Sequence, residues 1–474
     1  MGSNFSSQAI LNTMTNFVSG TKRKRLESEE DELNKVIDIV LHTPKKIKLS
    51  CTAKYIYQAL FVEGKNSDVT VCALGKEYYL HRVYLCQSPY FGSMFGGSWL
   101  ETTQKYITID VVDPAITQDS LKVVFGSLYE AEVVLNPLEV LPIMATATMF
   151  QLDGLIEQCT ELMLETINPK TCLDYYNAAC LYGDKKLEDA CIRWFLVNLM
   201  PYYYQESDED LRTIPVSLME TLMAQPDLCT IQTECSLYVM LKHWVYLIHH
   251  PEESKPTASA VAEYFSQRQD KTPFLHTPEG RQFVNVFQEL RIPNLINHHL
   301  DIELILGDNI IPKSWLNTVV IQQWDNMLRV NHNEDKGPLE VSQADFLKQS
   351  VRCGRIVLTA ERHVWRWTGF YFGVDLLVAL ENNMLSVRRN HRSELEQLLS
   401  FQTQRNVAVL FRVVRLNEQK QITYSKESNI MLLSLAKGQE VPVMSFDKVV
   451  YPIIVTANML FIAPEKKESV KKDD

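Results

Sequence analysis

Ten cysteines and eleven histidines are the residues of this 474-residue chain that could do chemistry most readily, since thiolates and imidazoles hold metals and, when paired, attack carbonyl groups. Their spacing supports neither use. No two cysteines stand as CxxC. His249 with His250, and His298 with His299, are sequence neighbours that point in different directions on a helix or strand, so neither makes the i, i+4 pair of a zinc helix. Nothing joins one cysteine to one histidine as nucleophile and base. A phosphate loop, a Gly-x-Ser-x-Gly elbow and a dinucleotide fingerprint are all missing from the pattern. The longest run of adjacent carboxylates, Glu29 to Glu32, falls in the polar N-terminal stretch, and a further pair closes the C-terminal tail. The chain therefore reads as non-enzymatic, with no cofactor and no metal.

The remaining candidates are groups that recognise other molecules. In Gly97-Ser98-Trp99-Leu100-Glu101 an aromatic stands two residues before a carboxylate on a short link, offering one desolvated anchor and one orienting charge. Trp365, Trp367, Phe370 and Tyr371, with Gly369 and Gly373, make a second dense aromatic group. Core packing is its default role, and peptide recognition is the role of any member left exposed. Lys22, Arg23, Lys24 and Arg25 form one basic cluster, and Lys45, Lys46 and Lys48 another about twenty residues on, as in a bipartite nuclear import signal; a solvated charge run is the plainer reading. Gly2 and Ser6 stand as the N-myristoylation pattern requires, although so short a pattern also arises by chance. A single myristoyl chain holds a membrane only marginally, so the first basic cluster would have to supply the second contact of a peripheral membrane attachment.

These candidates hang on recognisable elements. Val69, Val71 and Ala73 alternate with Asp68, Thr70 and Cys72, and Leu74-Gly75 turns the chain into a second strand through Tyr78 and Leu80. Apolar positions at helical spacing follow from Val83 to Cys86 and at Phe91, Met94 and Phe95, with Ser88-Pro89 as cap and first turn between two short helices. Gly96 and Gly97 end the second helix, Ile107 and Ile109 mark a third strand, and Thr117 caps a helix striped by Leu121, Val124, Phe125 and Leu128. The Trp99 link thus lies between a helix and a strand. His81, alone in its neighbourhood, reads as a satisfied core group.

The strings SDVTV, LHRVYLCQSPYF and FGSLYEAEVVL, in that order, resemble the BTB (POZ) domain over residues 51–166. KYIYQAL, MFQLDGLIEQC, RCGRIV and WRWTGFYFGVDLLV are similar to the germ cell-less family of BTB proteins, over almost the whole chain. The resemblance implies a small sheet clasped by helices and a homodimer in which the helix of Tyr55, Ile56, Leu60 and Phe61 packs across a twofold axis. Asp68, His81 and Arg82 would be its buried polar residues. BTB proteins that act as cullin-3 adaptors hold a hydrophobic residue, any residue and Glu where Trp99, Leu100 and Glu101 stand. The implied role is substrate recognition for a cullin-3 ubiquitin ligase in germ-cell formation, with an unidentified protein substrate. The alternative is a nuclear-envelope scaffold or transcriptional co-regulator that uses BTB only to dimerise and recruit, with envelope or lamina proteins as partners. The implied location is the nucleus and nuclear envelope, with the cytoplasm and the inner face of the plasma membrane as further compartments.

A composition of 46% hydrophobic and 22% charged residues is that of a folded protein, and a net charge of -11 argues against general nucleic-acid binding. The expected fold class is α+β. Residues 1–50 form a flexible segment and 51–166 the BTB domain. Residues 167–330 form a BACK-like helical domain, with stripes such as Leu187, Ala190, Cys191 and Trp194 or Leu237, Met240, Leu241 and Trp244. A linker at 331–350 leads to a β-rich sandwich or barrel at 351–464, and a charged tail closes the chain at 465–474. The polar interval from Pro251 to Pro278 reads as a loop, and Cys86, Cys159 and Cys191 as reduced thiols within apolar stripes.

Overall fold

The computed structural model describes residues 55–97, 103–130, 132–268, 271–332, 334, 337–338, 340–369 and 372–463. Gly2, both basic clusters, Trp99, Leu100, Glu101, Phe370 and Tyr371 lie outside them. The described residues fall into two compact units, 55–194 and 195–463.

In the first unit, strands β1 (Val69–Ala73) and β2 (Lys76–Leu80) pair antiparallel across Leu74 and Gly75, whose φ angles of 51° and 74° make the tight turn. Strand β3 (Tyr106–Ile109) runs parallel to β1 on its other side. Helix α1 (Arg82–Leu85) leads to α2 (Pro89–Gly96), whose N-cap Ser88 accepts the Phe91 N–H while its own hydroxyl donates to Phe150 O at 2.6 Å. Helix α3 (Gln118–Ser127) opens on a capping box between Thr117 and Ser120. Helices α4 (Val140–Met149), α5 (Asp153–Glu165) and α6 (Cys172–Tyr182) follow, and then α7 (Lys185–Asn198), of which the first ten residues belong to this unit. Phe91, Phe125 and Phe150 meet at the centre, with ring centroids 5.1 Å apart for Phe91–Phe150 and 5.2 Å for Phe125–Phe150. Cys159 and Cys191 are buried as expected. Cys86 is exposed, because it caps the end of α1 and faces away from that core.

The second unit joins helices to a β-sandwich. Its helices include α8 (Asp208–Thr213), α9 (Val216–Ala224) and α10 (Glu234–His249), the last buried along most of its length. Helix α11 (Ala258–Ser266) lies inside the interval expected as a loop. Thr257 caps it, and Val261 and Phe265 are buried, two apolar anchors that the surrounding prolines and charges mask in the sequence. Helices α12 (Val284–Gln288), α13 (His299–Asp308) and α14 (Lys313–Asn331) complete the helical part.

The strands that follow are β4 (Val351–Val357), β5 (His363–Gly369), β6 (Val374–Glu381), β7 (Met384–Arg389), β8 (Gln404–Leu416), β9 (Ile422–Glu427), β10 (Met431–Ala436), β11 (Glu440–Ser445) and β12 (Ile453–Ile462). One sheet runs β10-β8-β12-β4, with β9 also on β8, and a second runs β11-β7-β6-β5. One apolar core fed by both sheets, including Leu376, Val378, Phe411, Val455 and Phe461, makes the pair a sandwich. The expected linker contains helix α15 (Gln343–Gln349), whose Phe346 packs with Ala408, Leu460 and Ile462 on the outer face of the first sheet.

Helices and sandwich are locked by buried charge. Arg352 on β4 donates to Glu234 of α10, with Nη2 2.6 Å from Oε1 and both side chains almost wholly buried. The N–H of Arg291 also reaches Glu234 Oε1, at 2.8 Å, and the Arg291 guanidinium donates to Ser350 O and Leu347 O. Burial beside Arg352 pushes the Arg291 guanidinium down to about 9. The segment before α10 lies against β4, where Gln232 N–H donates to Gly354 O at 2.8 Å. A Cβ on Gly354 would stand 2.3 Å from Thr230 O, so RCGRIV needs its glycine for this close backbone approach.

Candidate protein-interaction site

The link that carries Trp99, Leu100 and Glu101 leaves the end of α2 and returns to β3. Arg82 ties both ends. Its guanidinium lies over the Phe95 ring, 4.6 Å from the centroid, near where the link departs, and donates to Gln104 O at 2.5 Å where the chain re-enters. Arg82 is placed in turn by its own N–H, which Asp68 Oδ1 accepts at 2.8 Å.

Of the three polar residues expected to be buried, only His81 is. Its backbone N–H donates to Tyr129 Oη at 2.9 Å, its Nε2 lies 2.9 Å from Lys65 O, and its Nδ1 lies 3.2 Å from Tyr129 Oη. A carbonyl can only accept, so Nε2 carries the proton and Nδ1 accepts from the tyrosine hydroxyl. Both ring nitrogens are spent on structure. Burial pushes the Tyr129 hydroxyl well above its usual range. Asp68 is exposed and Arg82 half-buried in the single chain, because they fasten the surface link instead of filling the core.

The helical segment at Tyr57–Val62 packs Tyr57 and Phe61 against Gly126, whose absent side chain leaves the room, while Tyr55 and Val62 remain 73% and 51% exposed. Val83 is 75% exposed. This unit therefore presents apolar surface that its own sheet does not cover.

The aromatic group of the second unit divides. Trp367 is buried, stacked on Phe461 at 5.1 Å and lying across Gly369, where a Cβ would come within 2.3 Å of the indole. It is a core residue and no partner can reach it, which corrects its place among the candidates for binding. The alternation of β5 turns 363, 365, 367 and 369 inward, and Trp367 sits deepest. Trp365 is only partly buried and lines an open cleft with Arg355 and His363. Sequence reasoning gave Arg355 of RCGRIV no role; an arginine at an inward position of an apolar strand was the available signal. Among the described residues no group of His, Cys, Asp and Glu could hold a metal ion.

A three-stranded sheet of this order clasped by helices, with a tethered link between α2 and β3, defines a BTB/POZ protein. Residues 57–167 match the family model described as BTB/POZ domain. The chain is 42% identical over 477 aligned residues to protein germ cell-less of Drosophila melanogaster, covering 94% of this chain and 84% of that protein. It is 38% identical over 437 residues to germ cell-less protein-like 1 of Homo sapiens, covering 90% and 84% respectively. Kelch repeat and BTB domain-containing protein 8 of Xenopus tropicalis is similar over 142 residues only, at 30% identity, covering 30% of this chain and 23% of that protein. The chain belongs to the germ cell-less family.

Proposed function

We propose that this protein is a non-catalytic, homodimeric substrate-recognition adaptor of a cullin-3 ubiquitin ligase that acts in germ-cell formation. The observation that carries the reading is the place of Trp99-Leu100-Glu101, on the tethered link of a BTB domain where cullin-3 adaptors hold a hydrophobic residue, any residue and Glu. The indole supplies the desolvated anchor and the carboxylate fixes register. Exposed Tyr55, Val62 and Val83 support a dimer that covers them. The germ-cell setting rests on the names of the relatives. The protein's contribution to catalysis is proximity: it holds a target near a transferase whose chemistry belongs to its partners. The basic clusters and Gly2 would direct the chain to the nucleus and its envelope.

The test is capture of purified cullin-3 by the full chain and by the Trp99→Ala, Glu101→Ala double variant, with the mass of each checked. Binding by the wild-type dimer and loss in a still dimeric variant is the expected result. A folded wild-type dimer that fails to bind cullin-3 returns the protein to a scaffold or co-regulator that uses BTB only for recruitment.

A further inference from the structure

The two faces of the BTB sheet are unlike. One is buried, with Val71, Leu80 and Ile107 among its residues. The alternation of the strands turns Thr70, Cys72, Glu77, Tyr79, Tyr106 and Thr108 to the other face, where Tyr79 and Tyr106 remain 53% and 50% exposed. Glu77 is the one charged residue of these six. Register sets the two tyrosines on either side of Thr70, and Glu77 and Thr108 on either side of Cys72.

Both tyrosines turn to the carboxylate. Tyr79 Oη donates to Glu77 Oε2 at 3.0 Å, and Tyr106 Oη, from the far strand, donates to Oε1 at 3.3 Å. The bond to Glu77 raises the Tyr79 hydroxyl, and a hydrogen bond with the Cys72 thiol is the first cause that lifts the Tyr106 hydroxyl to about 12, so both stay donors near neutral pH. Each carboxylate oxygen keeps a lone pair for a further donor. Among the described residues no cation pairs with Glu77, whereas Glu63 is paired with Lys65 at 2.5 Å. The result is a carboxylate steadied between two phenol rings, which suits an ammonium or guanidinium group.

The chain carries such groups close by. Lys45, Lys46 and Lys48 precede the described residues, and Lys48 stands seven residues before Tyr55, where the description begins. From Tyr55 the helical segment leads to Gly64 over roughly 14 Å. Gly64 lies against the open face, since a Cβ there would stand 2.9 Å from Tyr79 Cβ. Seven extended residues span up to about 24 Å, enough to bring Lys48 back from Tyr55 to Glu77. A tether of this length keeps the cluster at roughly millimolar effective concentration, which a basic segment of another protein would have to outcompete.

We propose that the open face of the BTB sheet docks the chain's own second basic cluster, with a lysine among Lys45, Lys46 and Lys48 on Glu77 between the rings of Tyr79 and Tyr106. The docked cluster is withheld from an import receptor, so the contact regulates the nuclear entry proposed above. That consequence rests on the reading of the cluster as an import signal; the docking itself does not.

The first probe is carbodiimide coupling of the full chain, which joins a lysine amine to a carboxylate in contact with it. A link from Glu77 to Lys45, Lys46 or Lys48 is expected in the band of single-chain mass on a denaturing gel. It should be lost at about 1 M salt, and in the Tyr79→Ala, Tyr106→Ala double variant, which keeps Glu77. The second probe is brief acetylation of the three lysines with mass mapping. It is expected to run roughly threefold faster in Glu77→Gln than in the wild type at unchanged melting temperature, while Thr108→Val reacts like the wild type. Absence of the link, a link found only at twice the single-chain mass, or equal acetylation in Glu77→Gln overturns the docking. The nuclear fraction of Glu77→Gln in cells is expected to rise. A level nuclear fraction beside faster acetylation overturns the import reading instead, so the two failures register in different measurements.

Discussion

Residues 55–194 and residues 195–463 bury polar groups in different ways. In the BTB unit the buried polar side chains are His81, serines, threonines and Asn168, with no carboxylate, ammonium or guanidinium among them, and each is hydrogen-bonded, as Ser120 is to Thr146 at 2.7 Å. Every buried carboxylate, ammonium and guanidinium among the described residues lies in the second unit: Glu234, Lys242, Asp301, Asp308, Arg352, Asp375, Arg389 and Arg405. A core without ion pairs tolerates small shifts, whereas a buried ion pair holds only while both partners are in place. The second unit is thus the more brittle, and its helices and sandwich should act as one body.

The largest expected effect tests that contrast. Glu234→Gln strands the Arg352 guanidinium without its counter-charge and should cost about 3–5 kcal/mol. Thermal unfolding should show the loss in the transition of the second unit, with the BTB transition unmoved. A shift of both together would dissolve the contrast. Trp367→Ala, emptying the space against Phe461, should cost nearly as much, about 3–5 kcal/mol, against about 1 kcal/mol for the half-exposed Trp365→Ala. Equal losses would mean that Trp365 is as much a part of the core as Trp367.

On the BTB side, Ser88→Ala removes the cap of α2 and its bond to Phe150 O, and chemical denaturation should read about 1–2 kcal/mol, confined to the first transition. The smallest effect leaves the fold untouched. Burial pushes the Cys159, Cys229 and Cys353 thiols up to about 12, so they carry little thiolate near neutral pH. Brief alkylation with mass mapping should label the exposed Cys86 and Cys180 and spare those three. Labelling of Cys353 would show that β4 opens.

The same contrast explains what the sequence could tell. In the BTB unit the period-two run at Val69, the Ser88-Pro89 cap and the Thr117 stripe are local signals in which side-chain polarity and burial agree, and they stand in the structure where the residues place them. In the second unit the expected linker at 331–350 hid Phe346, the buried anchor of a short helix. The strand RCGRIV hid behind two arginines, because a buried charge looks like a surface charge until its partner, here 118 residues away, is known. β9 has an almost wholly exposed pattern and β11 a proline, so neither carries the alternation that marks a half-buried strand. The β-rich character of 351–464 was legible for the opposite reason, since in a strand such as β8 the alternating apolar residues Val407, Val409, Phe411 and Val413 are the buried ones. At the candidate site, the Trp99 link was legible from its neighbours, whereas the clamp by Arg82 on Phe95 and Gln104 depends on side-chain reach that spacing does not encode.

The adaptor role turns most directly on the affinity of the full chain for cullin-3, measured by titration calorimetry beside the Trp99→Ala, Glu101→Ala double variant at matched dimer mass. Saturable binding with one cullin-3 per protomer is expected, with its loss in a double variant that still melts like the wild type. Unchanged binding by the double variant, or no heat from a folded wild-type dimer, would contradict the adaptor role.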